Sequence, residues 1–167
     1  MIVKSMMSLL FFGNGWVKGL VGFFGSLVVV SAALDQVKIV YSPSDSLPYR
    51  IFLEIKRLKP QVGQYAYFDC SWYGGRVIKK IVGREGDELT YDEQGNLWVE
   101  KQKIGKAKAQ ARDGRRLTPI KAGIIPRGMV FVKGEHERSF DSRYEELGLI
   151  PEAALGGRVL GMVKGGI

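Results

Sequence analysis

Three short segments, in a fixed order, hold the residues able to do chemistry. They are Ser44-Asp45-Ser46-Leu47-Pro48, the run from Val77 to Asp87, and Ser139-Phe140-Asp141-Ser142-Arg143. A serine hydroxyl is a weak nucleophile until a base takes its proton. Lys79 is the candidate base. In a strand Val77, Lys79 and Ile81 share one face, so the amine stands between two β-branched apolar neighbours. Loss of water there disfavours the ammonium and lowers its pKa. The free amine that results can take a serine proton. Lys80 lies on the opposite face and reads as solvated. A lysine that merely emerges at a strand edge is the competing reading.

Ser46 is the candidate nucleophile. Pro43 and Pro48 flank it and restrict the backbone to an extended segment. Ser44, two positions earlier, falls on the same side of such a segment, where its hydroxyl is suited to donate to an oxyanion beside the Ser46 amide. An ordinary Ser/Pro turn competes with this assignment. In the third segment Asp141 and Arg143 are suited to an ion pair that fixes the loop. Ser139 is suited to hydrogen-bond the lysine amine and hold its direction; a surface turn competes here too. The one histidine opens a rival, a Ser46/His136/Asp141 triad, but His136 lies in the charged run Glu135-His136-Glu137-Arg138 and reads as exposed. Cys70, the single cysteine, allows no intramolecular disulfide and reads as a buried thiol on a strand. With His136 it makes too small a set for a metal site, and no cofactor is expected.

The elements that must position these residues are strands. Ile51 to Leu58, Gln64 to Tyr73, Arg76 to Val82, Glu88 to Tyr91, Asn96 to Glu100, Met129 to Val132 and Arg158 to Val163 are short apolar or alternating runs bounded by glycine, proline and polar turns. Asp92-Glu93-Gln94-Gly95 reads as a hairpin turn. No long segment after residue 35 has helical periodicity. The expected fold is mostly β, a β-rich domain with many short strands, of a size for one modest domain plus an appendage.

The appendage is apolar. The first 34 residues carry only two charges, Lys4 and Lys18, and Trp16 to Leu34 is an almost uninterrupted apolar run, close to the roughly 20 residues that cross a bilayer. The expected organisation is a short segment over 1–15, a transmembrane anchor over 16–34 and a catalytic domain over 35–167. Trp16 and Lys18 suit an interface. Positive charge ahead of the span places the N-terminus in the cytoplasm and the large domain outside it. A cleaved signal peptide, with small residues at Ser31-Ala32-Ala33, and a buried core helix are the alternatives. Ser46 follows Leu34 by a dozen residues, a tether of at most ~40 Å, so the serine is expected near the membrane surface. That position suits a substrate itself anchored in the bilayer.

The formal net charge is +8. Much of the excess lies between Lys101 and Arg127, where nine lysines and arginines face only Asp113. Attraction to anionic headgroups or to nucleic acid competes there with a solvated, mobile loop. No aromatic residue interleaves the run, which argues against base stacking, and no nucleic-acid partner is expected.

Order and flanks together resemble the signal peptidase I clan of Ser/Lys proteases. The block Ile78-Lys79-Lys80-Ile81-Val82-Gly83-Arg84-Glu85-Gly86-Asp87 is similar to that clan's I-K-R-x-V-G-x-P-G-D, with Glu85 in place of proline. Gly134 to Arg143 resembles its G-D-N-x-x-x-S-x-D-S-R box, one residue shorter and with Glu135 and His136 in place of Asp-Asn. Gly148-Leu149-Ile150-Pro151 and Leu155-Gly156-Gly157-Arg158 match its G-x-V-P and I-x-G-R elements. Ser46-Leu47-Pro48, Asp113-Gly114-Arg115-Arg116-Leu117 and Ser139 to Tyr144 are closer to the conjugative-transfer (TraF-type) branch. There the chain departs at Arg50, where a glycine is usual, and at the inserted Glu145-Glu146-Leu147.

The resemblance implies an N-terminal anchor in the bacterial inner membrane and a periplasmic catalytic domain of antiparallel sheets. It implies Ser46 as nucleophile and Lys79 as general base. Ser44 would assist the oxyanion and Ser139 would orient Lys79, with Asp141, Ser142 and Arg143 supporting the loop. The implied substrate is a membrane-anchored pilin precursor within a type IV secretion or conjugation system, which some members of the branch close into a circle. General removal of signal peptides and a non-catalytic, anchored assembly factor are the alternatives.

Overall fold

The computed structural model describes residues 15–42 and 47–164. Ser44 and Ser46 lie outside the described residues. The chain divides into two units, with the boundary between Val37 and Lys38, at the first residue of the first strand. The first contains helix α1 (Gly15–Leu34), along which Trp16, Phe23, Phe24, Val28 and Val29 are all exposed. Among the described residues no helix is long and apolar enough to cross a membrane; the side chains of Val17 and Ala33 are outside that set.

The second unit is built from short strands: β1 (Val37–Tyr41), β2 (Tyr49–Ile55), β3 (Tyr65–Cys70), β4 (Gly75–Gly83), β5 (Glu88–Tyr91), β6 (Leu97–Val99), β7 (Gln102–Gly105), β8 (Gly123–Ile124), β9 (Met129–Lys133), β10 (Ile150–Pro151) and β11 (Arg158–Lys164). A seven-stranded sheet runs β1-β2-β11-β3-β4-β9-β10, and a four-stranded sheet runs β7-β6-β5-β8. From β2 onward every neighbouring pair in the two sheets is antiparallel. The mostly-β expectation therefore holds. Beyond residue 35 the only described helical turns are two single 3-10 turns, Ser71–Tyr73 and Glu152–Ala154.

Two strands end sooner than the sequence implies. The run read as a strand to Tyr73 stops at Cys70, and Ser71–Tyr73 turns away before Gly74, whose φ of 64° is left-handed. The turn carries the Trp72 ring over to Phe140, where the two stack with centroids 4.4 Å apart. The run read to Leu58 stops at Ile55, and its next residues close a turn through Leu58 N–H to Ile55 O.

β4 is an interior strand of the larger sheet, paired along both edges, and both of its faces are packed. Val77 and Ile81 join the cluster of Phe68, Val132, Phe140 and Tyr144 on one face. Ile78 joins Phe52, Val159 and Leu47 on the other. A register shift between Ile81 and Gly83 then hands the strand to the four-stranded sheet, where Val82 packs with Leu89, Leu97 and Ile125.

Packing between β11 and β2 needs glycine. A Cβ on Gly157 would lie 2.4 Å from Ile55 O and 2.6 Å from Lys56 Cα. Both are backbone atoms that cannot step aside. Gly157→Ala is expected to lower unfolding free energy by about 1–3 kcal/mol, measured by chemical denaturation of the purified protein. An unchanged midpoint would mean that this edge of the sheet is looser than the contact distance implies.

Candidate active site

Lys79 is buried, at 2% exposure. Its position follows from strand alternation, because Val77, Lys79 and Ile81 face the same cluster. Burial is the main cause that lowers its pKa, from 10.5 to about 8; Asp141 and Cys70 oppose the shift and Arg143 adds to it. Lys79 Nζ lies 2.7 Å from Ser139 Oγ. The amine is thus dry and held in direction by a hydroxyl, as the residue types imply. Lys80, on the other face, is partly exposed and sits 3.8 Å from Glu135.

The loop after β9 delivers Ser139. It folds back on β9 through two bonds to one residue: Ser142 N–H donates to Val132 O at 3.0 Å, and Val132 N–H donates to Ser142 Oγ at 3.1 Å. Since β9 pairs with β4, this return places Ser139 over Lys79. The expected ion pair is present and buried, with Arg143 Nε 2.8 Å from Asp141 Oδ1 and both side chains almost wholly shielded. Asp141 also accepts the Gly134 and Arg143 amides. Arg143 donates onward to Ser139 O at 2.9 Å and Lys106 O at 3.3 Å. One guanidinium therefore ties together the carboxylate, the backbone of the orienting serine and a second loop.

Aromatic stacking clamps the same loop from outside. Arg115 lies 3.5 Å from the Trp72 centroid, Trp72 stacks on Phe140, and Phe140 stacks on Tyr144 at 5.8 Å. Phe140 sits between Ser139 and Asp141 in the chain, so the stack restrains both. Sequence reading passed over Trp72, because its strand-like context hid the turn that redirects it.

A cavity of about 770 Å³ is lined by Lys79 and Ser139 and walled by Val77, Trp72, Leu117 and Phe140. Ser42 and Leu47 also line it; they are the residues on either side of the undescribed 43–46. The histidine triad is not assembled. Asp141 is committed to Arg143 and two amides, whereas His136 is exposed and its Nδ1 accepts the Arg138 amide at 3.0 Å.

The basic run is not a uniform solvated loop. It contains β7 and a bridge between Gln110 and Arg116. Leu117 is buried, Lys108 pairs with Glu137, and Asp113 pairs with Arg115 at 2.5 Å. Apolar anchors at Ile104 and Leu117, spaced among the charges, are what fasten it.

The closest approach in the site depends on Gly134. A Cβ there would fall 1.9 Å from Ser139 Oγ and 3.2 Å from Lys79 Nζ. Gly134→Ala must push Ser139 off the lysine. Any activity that uses Lys79 as a base is expected to drop by about tenfold or more, since misplacing a catalytic group by an ångström costs on that order or beyond. Steady-state assay beside a melting curve separates this from unfolding, and full activity in a folded variant would show that the Ser139 contact is dispensable.

The chain has a solved relative. It is 26% identical to a signal peptidase I from Enterococcus faecalis V583, over 60% of this chain and 96% of that one, with a TM-score of 0.40. No curated protein matches it. The sequence model for "Signal peptidase, peptidase S26" matches residues 14–163, nearly the whole chain. The protein belongs to this signal peptidase family of serine peptidases, whose members work through a Ser/Lys dyad.

Proposed function

We propose that this protein is a membrane-anchored serine endopeptidase that processes a conjugative pilin precursor, with Ser46 as nucleophile and Lys79 as general base. The observation that carries the reading is the Lys79 amine, buried, 2.7 Å from Ser139 Oγ and with its pKa lowered to about 8. Ser42 and Leu47 on the cavity wall favour delivery of the intervening Ser44 and Ser46 to the same space. In the proposed reaction Ser46 Oγ attacks the scissile carbonyl and its proton passes to Lys79 Nζ. The tetrahedral oxyanion, held by the Ser46 amide and the Ser44 hydroxyl, collapses and expels the amine, which takes the proton from Lys79. The acyl group then leaves to water or to an amine of the substrate. Holding that amine close raises its effective concentration by orders of magnitude, which is the route to a circular pilin.

The pilin assignment rests on the motif likeness at Ser46-Leu47-Pro48 and at Ser139 to Tyr144. The anchor is proposed from the almost uninterrupted apolar run Trp16 to Leu34 in the sequence and from membership of the signal peptidase family. The catalytic unit then lies in the periplasm, beside a substrate in the same bilayer.

Mass spectrometry of the co-encoded pilin precursor, incubated with this protein or its Ser46→Ala variant, tests the function. A Ser46-dependent truncation is expected. A product one water lighter than the hydrolysed chain marks cyclisation, and a precursor left intact by both proteins removes the pilin assignment.

The amine must be neutral to act, so kcat/KM is expected to fall about tenfold per pH unit below the pKa of about 8. The folded value lies below the ordinary one, so the unfolded chain holds the extra proton between about pH 8 and 10.5. The group therefore adds stability as pH rises through that window. Lys79→Met should abolish cleavage, remove this rise and leave melting at neutral pH little changed, because an apolar side chain replaces a desolvated amine. Retained cleavage by Lys79→Met would refute the assignment of the base.

A further inference from the structure

The cavity over Lys79 has a charge pattern that the dyad does not use. Five cationic side chains besides Lys79 border it, against two carboxylates, Glu54 and Asp113. Both carboxylates are engaged: Glu54 is buried and accepts the Tyr67 hydroxyl at 2.9 Å, and Asp113 is held by Arg115. Among the cations, Arg76 faces Asp69 at 3.4 Å and Lys108 pairs with Glu137. The Lys38, Arg112 and Arg138 side chains have no hydrogen-bond or ion-pair partner among the described residues.

Two of these three are arginines, and they reach the cavity from different loops. Arg112 projects from the turn closed by the Gln110–Arg116 bridge. Arg138 immediately precedes Ser139, the residue bonded to Lys79. A guanidinium presents a planar fork of donors that matches a carboxylate, and apolar walls at Trp72, Leu117 and Phe140 strengthen such a bond by lowering the local dielectric. From this we infer that Arg112 and Arg138 form a carboxylate-recognition site, which selects peptide substrates carrying Asp or Glu within a few residues of the scissile bond. The inference rests on the peptidase reading for what the bound peptide undergoes, but the recognition itself is a binding property. An anionic lipid headgroup is the less favoured occupant, because the arginines border the same cavity as the Lys79–Ser139 pair.

Binding is measured with the Ser46→Ala protein, so that turnover does not intervene. The probes are a fluorescein-labelled decapeptide of alanine, leucine and glycine carrying two glutamates, and its counterpart with two glutamines. The glutamate peptide is expected to bind about tenfold tighter at low salt, as charge-assisted bonds allow. Adding Arg112→Ala and Arg138→Ala should erase that preference. Adding Lys101→Ala and Arg127→Ala, which removes the same charge outside the cavity lining, should leave it. Equal affinities, absence of binding included, overturn the inference. So does a preference that survives the paired arginine substitution. Phosphatidylglycerol vesicles that bind in an Arg112- and Arg138-dependent manner, while the two peptides bind alike, overturn it in favour of a headgroup. If the preference holds but the unsubstituted protein cleaves neither peptide nor pilin precursor, the peptidase reading falls and the carboxylate site stands.

Discussion

A lysine is useful as a base only if it is kept dry without acquiring an anion of its own. The site around Lys79 meets both conditions, and the rest of the catalytic unit depends on that balance. Burial drives the amine toward its neutral form, and Asp141, the nearby carboxylate, pulls the other way. Left alone in that interior, Asp141 would recruit Lys79 as its counter-ion and hold it charged. Arg143 prevents this by occupying both carboxylate oxygens and by adding its own positive charge against the ammonium. The pair is thus less a stabilising contact than a shield. A buried ion pair of this kind is near neutral for stability against an apolar replacement, yet losing one partner typically costs about 3–5 kcal/mol. It holds the loop in one arrangement because every alternative leaves a charge unmatched.

The shield needs a frame, which the sheet provides. β4 lies between β3 and β9, so Lys79 has ordered neighbours on both sides and apolar residues at its own level. β9 then leads straight into Gly134, where the chain must pass close to Ser139. Ser142 closes the return by exchanging two hydrogen bonds with Val132. Phe140, stacked between Trp72 and Tyr144, restrains the same loop from outside. Distance from Lys79 Nζ to Ser139 Oγ is therefore set by the register of two strands and one doubly bonded serine, not by flexible side chains.

Most of this was legible where the physics is local. Alternation along Val77-Lys79-Ile81 places the lysine on an apolar face without any tertiary knowledge, and β3, β4, β5, β6, β9 and β11 all fall in runs with strand composition. The elements that escaped are those made by their partners. β8 and β10 are two residues each, too short to show a period, and β1 follows directly on the apolar segment and merges with it in the sequence. The Trp72 turn was hidden because its residues suit a strand equally well. Nine cations dominate the composition of the basic run and mask the few apolar residues that fasten it. The undescribed residues 43–46 leave Ser44 and Ser46 where the sequence alone put them.

Several departures from the signal-peptidase pattern are informative because they have found structural partners. Glu85, in place of a proline, accepts the Gly128 amide at 2.8 Å and so ties the β4–β5 turn to the start of β9. Glu135 accepts the Tyr65 hydroxyl and faces Lys80, on the side of β4 away from Lys79. In the insertion Glu145 faces Lys121 at 3.7 Å, Glu146 accepts the Thr118 amide at 2.8 Å, and Leu147 packs on the core. These residues strap loops to one another around the site. None of these carboxylates contacts Lys79, Ser139, Asp141 or Arg143. Refitting by these carboxylates therefore leaves the Lys79–Ser139 pair without a new counter-ion, which the proposed role of Lys79 as a base requires.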